Sequence, residues 1–379
     1  VAQYVTENRA PEDLIIIETG SVFPTWVYYA GRDRILPLPD DALLDVTHVL
    51  NYENTAPLLN ESLQSTSGVW LVNWLAEVSD PTDVVATLLS DIGHETPVPT
   101  FHNISLRHFM LDQAPDFPPE PLAKARPNTE LLPHLWLWGY TLPTTLPADG
   151  ALHLRTWWAT NNPGIHADKF YQASLRLMDA SGYTWEKLDE PPGAGDYRPE
   201  RWPAGTLILG HFNMQLPDGI PAGHYTAILI LYTRETTGEY ALGQIRITRP
   251  GTPPPTPADM MCVSASQGQA PLNLLAVRLD HSAIKPCQNV EGQLFWEVAQ
   301  PLNTVYTLHL QVGDEHSTQP LTPDFSPADW QPGDRFLTPF RLPIQCQAPD
   351  AEAPLEISLE VPDVSPALAT WTGPDVTID

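Results

Sequence analysis

A ten-residue pattern that occurs twice constrains the fold of this chain more than any other feature. Residues 196–205 read DYRPERWPAG and residues 324–333 read DFSPADWQPG, so both match D-[YF]-x-P-x-x-W-x-x-G at a separation of 128 residues. Each copy leads into an apolar segment that ends in Leu-Pro, at 216–217 and 342–343. A β-sandwich domain has about this length. The sequence therefore predicts two tandem, immunoglobulin-like β-sandwiches related by duplication, with hairpins lost or shortened in the second.

Proline-rich segments mark the predicted boundaries. The chain has 42 prolines in 379 residues, about twice the average frequency of roughly 5%. Two clusters read as semi-rigid linkers, and the first could instead wrap along a domain surface. Around them the sequence alternates with the period of two that strands require. We predict five parts: an α/β domain at 1–112, a linker at 113–128, a first β-sandwich at 129–249, a linker at 250–258 and a second β-sandwich at 259–379.

The first of these parts alternates strand-like and helix-like segments. Residues 14–17 (LIII) and 69–72 (VWLV) are short apolar runs typical of buried parallel strands. Leu58, Leu59 and Leu63 recur between them at helical spacing. Such alternation predicts a small α/β layer domain with a mostly parallel sheet.

One helix has clear end signals. Asp80 is a natural N-cap and Pro81 suits the first helical position, which places the helix at 81–92. Gly93 can take the left-handed conformation that ends a helix. We expect a closing strand at 104–111.

The charge of the chain excludes several partners. Its 46 acidic and 19 basic residues give a formal net charge of -27, which repels nucleic-acid backbones and anionic lipid surfaces. The sequence contains no apolar run of about 18 residues and no signal peptide after Val1. We therefore expect no direct membrane insertion and no nucleic-acid partner, and we read the chain as an excised part of a longer protein.

All three cysteines lie in the last third of the chain. Their spacing matches no zinc or redox motif. Either Cys287 and Cys346 form a disulfide and Cys262 is free, or all three are buried thiols.

The repeated pattern also supplies candidate ligand contacts. Exposed indole rings can stack on the apolar faces of sugars, and a nearby carboxylate can accept hydrogen bonds from their hydroxyl groups. On this basis Asp196, Tyr197 and Trp202 would form a sugar-binding platform. The alternative, which we favour, is that Trp202 and Trp330 fill the interior of each sandwich while Pro and Gly fix the turn. The second copy keeps the core-type residues, whereas the charged Glu200 and Arg201 become Ala and Asp.

A second aromatic pair lies near the start of the first predicted sandwich. Trp136 and Trp138 share one face of the segment LWLWG, which suits an aromatic binding strip if that face is exposed. Burial in a core or a domain interface is the interpretation we favour.

The sequence shows no catalytic, cofactor-binding or metal-binding motif. It lacks the glycine-rich and nucleophile-elbow patterns of nucleotide-binding proteins and hydrolases. Histidines 94, 102 and 108 lack a carboxylate at matching spacing, so we interpret them as ordinary strand residues. The acidic cluster at 40–45 lacks the alternation of a calcium loop, and we expect a solvated turn with a helix start there.

The chain resembles the exocytoplasmic C-terminal region of bacterial membrane glycosyltransferases of the dolichyl-phosphate-mannose mannosyltransferase-like superfamily, as in Chloroflexus-type bacteria. The matching segments are PEDLIII at 11–17, YYAG at 28–31, GVWLV at 68–72 and RWPAG at 201–205. The likeness covers most of residues 1–250. It implies an upstream multipass membrane portion that holds the catalytic acidic residues, so that no catalytic residue can be assigned here.

Three functions follow as hypotheses. The first is a non-catalytic accessory region, tethered outside the cytoplasmic membrane, that positions a cell-envelope glycan or a protein partner, including the membrane-embedded part of the same polypeptide. The second is a secreted glycan-active hydrolase, which requires two carboxylates about 5 to 10 Å apart in an open cleft. The third is a set of structural spacer domains, which requires buried Trp202 and Trp330 and no substantial pocket.

Overall fold

The protein is mostly β-structure, with 47% of residues in strands and 13% in helices. The computed structural model describes the chain from Val1 except for these residues: 163, 165–168, 196, 264–266, 269–270, 301–304, 323–324, 326–328, 350, 362–363 and 379. Within the described part, the strands form five sheets. None of the helices in that part is long and apolar enough to cross a membrane.

The N-terminal part contains five helices and a five-stranded sheet. Its helices are α1 (Ala2–Asn8), α2 (Phe23–Ala30), α3 (Tyr52–Ser62), α4 (Ala76–Ser79) and α5 (Val84–Ile92). Its strands are β1 (Leu14–Glu18), β2 (Ile35–Leu38), β3 (Gly68–Asn73), β4 (Gly93–Thr96) and β5 (Ser105–Leu111). The strand order is β2-β1-β3-β5-β4, and β1 and β3 are buried along nearly their whole length because helices cover both faces.

This sheet is mixed, whereas the sequence predicted a mostly parallel one. Strand β1 runs parallel to β2 and β3, but β5 is antiparallel to both β3 and β4. The reason is the short connection between β4 and β5. It forms a hairpin, and a parallel pair would need a crossover of about a dozen residues.

The predicted helix at 81–92 begins three residues later than expected. Its carboxylate cap is Asp80, whose side chain accepts hydrogen bonds from the N–H groups of Val84 and Val85 at 2.8 and 3.0 Å. Residues 81–83 form a turn, since Asp83 has a positive φ of 55°. Gly93 was also expected to be left-handed, and it is extended instead because it begins β4.

The first sandwich-like part is built from nine strands. They are β6 (Thr129–Leu132), β7 (Leu135–Thr141), β8 (Thr145–Pro147), β9 (Ala151–Thr160), β10 (Gln172–Met178), β11 (Thr184–Glu190), β12 (Ile208–Gln215), β13 (Gly223–Tyr232) and β14 (Thr237–Thr248). One sheet has the order β12-β9-β7-β6 and the other β11-β10-β13-β14-β8. Alternate residues of β13 are buried, as the period-two pattern predicted.

The second sandwich-like part repeats this arrangement. Its strands are β15 (Met261–Cys262), β16 (Gln267–Gly268), β17 (Leu272–Leu279), β18 (Ala283–Ile284), β19 (Asn289–Val298), β20 (Thr307–Val312), β21 (Glu315–Pro320), β22 (Arg335–Pro343), β23 (Ala351–Val361) and β24 (Val364–Ile378). The order β15-β17-β19-β22 matches β6-β7-β9-β12, and β21-β20-β23-β24 matches β11-β10-β13-β14, with β18 parallel to β24 as β8 is to β14. Strand β16 is an additional strand, antiparallel to β24. Of the expected differences, no strand of the first copy is missing from the second, but β15 has two residues where β6 has four.

The repeated motif forms the same local structure in both copies. The indole Nε1 of Trp202 donates to the carbonyl of Tyr197 at 2.9 Å, and Trp330 donates to the carbonyl of Phe325 at 3.1 Å. The glycines that end the motif, Gly205 and Gly333, have φ values of 78° and 89°. Each N–H donates to the last residue of the corresponding strand, β9 or β19, at 2.8 Å.

The proline-rich segment after β5 packs on its neighbours as a strap. Phe117 is buried in the core that α3 and α5 share with the N-terminal sheet. The side chain of Asn60 both donates to and accepts from the backbone of Phe117, at 2.8 and 2.9 Å. The hydroxyl of Tyr52 donates to the carbonyl of Pro118 at 2.8 Å. Of the two forms expected for this segment, the wrapped one is observed.

The N-terminal part and the first sandwich share a core. Trp157 of β9 is buried among residues of α3 and α5, and its ring meets that of Tyr52 edge to face at 5.6 Å. Arg155 donates two hydrogen bonds of 2.9 Å to the carboxylate of Asp91 on α5. These contacts fix the orientation of the N-terminal sheet against the first sandwich.

The second sandwich contains a disulfide between Cys287 and Cys346, and Cys262 is free and exposed. This agrees with one of the two cysteine arrangements expected from the sequence. The disulfide links the turn before β19 to the turn after β22, two strands that pair along their whole length.

Candidate functional site

The residues of the first motif copy do not form a ligand platform. Trp202 is 1% exposed and Tyr197 is 5% exposed, and both belong to the core of the first sandwich. Trp330 is equally buried in the second sandwich. Asp196 lies outside the described residues. The interior role that the sequence analysis favoured for Trp202 and Trp330 is observed.

The second aromatic pair is only half exposed. Trp138 packs at the edge of the core beneath the strap, where the guanidinium of Arg126 lies 4.7 Å from its ring centre. Trp136 is also partly buried and meets His134 edge to face at 6.4 Å. The two rings therefore do not form an open aromatic strip.

The histidines and acidic residues noted in the sequence do not assemble into a metal site. His108 lies on β5 and stacks on Trp70 at 4.1 Å, whereas His102 lies in the turn before that strand. Burial lowers the pKa of His108, and the nearby Asp13 carboxylate acts in the opposite direction. The acidic cluster at 40–45 is a turn, and the next helix begins only at Tyr52. No group of three potential metal ligands occurs among the residues described.

In the N-terminal sheet, the direction of the strand order reverses between β1 and β3. From β1 the chain crosses by α2 to β2 on one side, and from β2 it crosses by α3 to β3 on the other side. Helix α2 packs on one face and α3 on the opposite face. In sheets built this way, ligands bind in the crevice where the strand order reverses, outside the carboxyl ends of the strands.

The backbone at this edge adopts unusual conformations. Thr19, directly after β1, and Leu75, after β3, have φ values of 63° and 59°. The hydroxyl of Thr19 donates to the carbonyl of Leu75 at 3.3 Å and lies 2.9 Å from the hydroxyl of Ser79. A side chain on Gly20 would collide with the carbonyl of Pro39, 2.0 Å away. Such conformations cost energy and cluster at functional sites.

An apolar groove opens at this edge, on the face covered by α1 and α2. Its volume is about 790 Å³, within the range typical of ligand pockets. Residues from both helices and from the ends of β1, β3 and β5 line it: Val1, Ala2, Gln3, Thr6, Glu7, Ile17, Val22, Thr25, Trp26, Tyr29, Val72, Trp74 and Ile104. We refer to this cavity as the edge groove.

Exposed aromatic side chains surround the edge groove. Tyr29 is 72% exposed and Trp74 is 41% exposed, and both line it. Tyr28 is 83% exposed and lies against Tyr29 with ring centres 5.0 Å apart, but it does not line the groove. Large exposed aromatic side chains next to a concave surface mark contact sites for other molecules.

The opposite face of the same edge holds a buried carboxyl pair. Glu18, the last residue of β1, is fully buried, and its two oxygens have no hydrogen-bond donor in the described part of the structure. Burial raises its pKa well above the usual range, and the neighbouring Asp80 and Asp83 raise it further. Burial also raises the pKa of Asp80 to about 6, against the lowering effect of the N–H groups of Val85 and Val84.

Interaction between the two carboxyl groups favours a proton on Glu18 over one on Asp80. Asp80 already accepts two backbone hydrogen bonds that favour its charged form, so it is the acceptor for a proton held by Glu18. A buried carboxylate without partners would be far more costly. The pair therefore links the end of β1 to the start of α5 by a proton-dependent hydrogen bond.

A charged network extends from the pair to the surface. Arg107 of β5 donates to Asp83 at 3.0 Å and to Glu95 at 2.8 Å. Beyond Asp83, His211 of the first sandwich contacts the hydroxyl of Thr87 at 3.1 Å, and burial lowers the pKa of this histidine. These contacts connect the N-terminal part to the first sandwich. The carboxyl pair itself is buried.

The sequence analysis predicted neither the edge groove nor the carboxyl pair. Glu18 is the single charged residue in the buried strand LIIIE, and that isolation is the signal that could have found it. In the sequence, Tyr28 and Tyr29 stand out only as part of the segment YYAG that carries the family resemblance. Trp74 follows an apolar strand with no local sign of exposure, because its position depends on the left-handed residue after it.

Comparisons with known proteins assign no family. No family model and no curated protein matches the chain. Among solved structures, the crystal structure of the C-terminal domain of Wzt is 7% identical, with a TM-score of 0.23, and the match covers 31% of this chain and 74% of that one. A likeness this weak supports no conclusion about fold or function.

Proposed function

We propose that this chain is a non-catalytic accessory region that holds a protein partner against the edge groove. The observation that carries the proposal is the distribution of exposed apolar side chains in the described residues. Eight of the twelve large ones lie within residues 1–112: Tyr28, Tyr29, Leu43, Leu44, Val46, Leu58, Trp74 and Met110. Apolar surface concentrated in one part of a protein marks an interaction site.

The proposed location is outside the cytoplasmic membrane, where the region would be tethered by a membrane portion of a glycosyltransferase-like protein. The family resemblance is the basis for this placement. The disulfide between Cys287 and Cys346 supports it, because such bonds persist in oxidising compartments. The favoured partner is the membrane-embedded part of the same polypeptide. A cell-envelope glycan is the second candidate, but the buried Trp202 and Tyr197 offer it no contact surface.

The fold classes that accompany this proposal are also inferences. We assign the N-terminal part to the three-layer α/β folds, on the basis of parallel β1, β2 and β3 with helices on both faces. We assign the two later parts to the immunoglobulin-like sandwiches. The supporting feature is that the short strands β8 and β18 join the second sheet in parallel with the last strand of each part.

The hydrolase alternative has one supporting feature, the Glu18–Asp80 pair. Glycoside hydrolysis needs two carboxyl groups open to a sugar and a water molecule, whereas these two are 0% and 4% exposed. The spacer alternative agrees with the buried Trp202 and Trp330 but not with a groove of about 790 Å³. We therefore propose that the sandwiches act as spacers and that the N-terminal part binds the protein partner.

Hydroxyl-radical footprinting tests this proposal. The full-length gene product in membranes is compared with the isolated chain, and oxidation is measured at each side chain. We expect Tyr29 and Trp74 to be oxidised quickly in the isolated chain and to be protected in the full-length protein. Phe170, which is 52% exposed on the first sandwich, is the control and should be oxidised equally in both.

Equal oxidation of Tyr29 and Trp74 in the two samples would contradict the partner contact. A signal peptide directly upstream of Val1, in place of apolar helices, would contradict the tethered arrangement. Cleavage of chromogenic glycosides by the isolated chain, abolished by Glu18→Gln, would replace the proposal with the hydrolase.

A further inference from the structure

We infer that the edge groove accepts an uncharged apolar segment of the partner and rejects anionic groups. This inference rests on the proposed function and adds the chemistry of the contact. It follows from three properties of the lining: its apolar floor, its charge and the state of its polar side chains.

The floor and walls of the groove are hydrocarbon and aromatic. Ile17 of β1, Val72 of β3 and Ile104, which directly precedes β5, supply aliphatic lining. Trp26 and Tyr29 of α2, with Trp74, supply aromatic lining. Burying apolar surface contributes about 25 cal/mol per Å², so this lining favours aliphatic or aromatic groups. The volume of about 790 Å³ accommodates several large side chains.

The side chains of the lining carry one negative charge. Glu7 carries a carboxylate, and no Lys, Arg or His side chain is among the described residues that line the groove. The whole chain adds a formal charge of -27. An anionic group in the groove would meet the like charge of Glu7 without a basic side chain of the described lining as its partner, and it would also lose hydration. The contact surface that complements this lining is therefore uncharged.

Two of the polar side chains of the lining, those of Gln3 and Thr6, are hydrogen-bonded within α1. The side-chain amide of Gln3 donates to the carboxylate of Glu7 at 2.8 Å. The hydroxyl of Thr6 donates to the carbonyl of Ala2 at 2.9 Å. These two side chains are therefore not free to bond a ligand. The indole Nε1 of Trp26, which also lines the groove, is buried and has no hydrogen-bond partner in the described part of the structure.

Two fluorescent probes with the same ring system test the selectivity. N-phenyl-1-naphthylamine is uncharged, and 1-anilinonaphthalene-8-sulfonate differs by an added sulfonate. We expect the isolated chain to bind the uncharged probe at least about tenfold more tightly, which corresponds to about 1.4 kcal/mol. The α-amino group of Val1 is acetylated for this measurement, because Val1 lines the groove and its ammonium charge would attract the sulfonate.

Variants locate the binding. Tyr29→Ala and Trp74→Ala should each lower the affinity for the uncharged probe by about tenfold. Tyr28→Ala is the matched control, because Tyr28 is adjacent and more exposed but does not line the groove. The affinity of this variant for the uncharged probe should equal that of the native chain. Glu7→Lys should increase the affinity for the sulfonate probe and reduce the discrimination between the probes.

Equal binding of the two probes, or equal weakening by Tyr28→Ala and Tyr29→Ala, would overturn this inference. Neither outcome would affect the footprint expected in the full-length protein. Conversely, selective probe binding without that footprint would leave an apolar groove and contradict the proposed partner.

Discussion

Glu18 shows how one residue can depart from the pattern of its own element. The strand LIIIE places it on the same face as Leu14 and Ile16, within a core that tolerates charge poorly. The sequence shows that this glutamate is unusual. It does not show that Asp80, sixty-two residues later, supplies the acceptor for its proton, because that contact depends on how α5 packs.

The carboxyl pair predicts a pH dependence of stability. The folded pKa of Glu18 lies above the unfolded one, so the folded state retains a proton that the unfolded state has released. The free energy of unfolding should therefore fall as pH rises above 4.5, the ordinary pKa of a glutamate, by at most about 1.4 kcal/mol per pH unit for each such proton. Glu18→Gln keeps a donor to Asp80 and should flatten this slope.

Urea denaturation at several pH values measures the effect. Glu12→Gln, which neutralises an exposed acid close to β1, is the control and should keep the slope of the native protein. An unchanged slope in Glu18→Gln would show that Glu18 is not the retained proton site.

The motif glycines allow a matched test in the two sandwiches. Gly205 and Gly333 have positive φ, and a Cβ at either position would meet nothing within 4 Å. Alanine should thus cost about 1 to 2 kcal/mol at each position through backbone strain alone, whereas asparagine, which tolerates this conformation, should cost less. Thermal unfolding of the alanine and asparagine variants at both glycines measures these costs. A cost at one glycine only would contradict the equivalence of the two copies.

At the scale of elements, strands were easier to predict than the ends of helices. The runs at 14–17 and 69–72 are strands because continuous apolar residues fit a sheet that is covered on both sides. The start of α5 was placed too early because Asp80 and Pro81 satisfy the rules for a helix start locally. The buried position of Asp80 then forces residues 81–83 into a turn.

The strap is an element that composition could not place. Prolines at 115–127 predict stiffness, but only tertiary contacts show that the segment lies along α3. Asn60→Ala removes both hydrogen bonds to Phe117, at a cost of about 1 to 3 kcal/mol. We expect faster tryptic cleavage after the exposed Lys124.

The rate of cleavage is followed by mass spectrometry. Asn8→Ala removes an exposed hydrogen bond within α1 and is the control, with no expected change at Lys124. Equal cleavage rates for the two variants would mean that Asn60 does not hold the strap.

For the molecule as a whole, the sequence predicts that the two sandwich-like parts are duplicates, but it does not predict how the N-terminal part packs against them. Matching motifs 128 residues apart predicted two similar domains, and their strand orders agree. The contacts that join the parts, such as Trp157 against Tyr52, involve residues distant in sequence and leave no local pattern. The edge groove has the same origin, since its lining comes from α1, α2 and three strands.

The disulfide should stabilise the last third of the molecule specifically. Cys287 and Cys346 are 59 residues apart, and a closed loop of this length stabilises a domain by about 4 kcal/mol. The double variant Cys287→Ser and Cys346→Ser should raise hydrogen exchange in residues 259–379, with a smaller effect in residues 1–112. Cys262→Ser is the control and should change neither region, because Cys262 is free and exposed.

Site-specific photo-crosslinking can capture a partner that contacts the edge groove in the intact protein. Benzoylphenylalanine replaces Tyr29 in the full-length gene product, and the same replacement at Phe170 is the control. We predict a crosslink from position 29 to the membrane-embedded part of the polypeptide and none from position 170. The absence of a crosslink from position 29, or equal crosslinking from both positions, would show that the edge groove does not contact this partner.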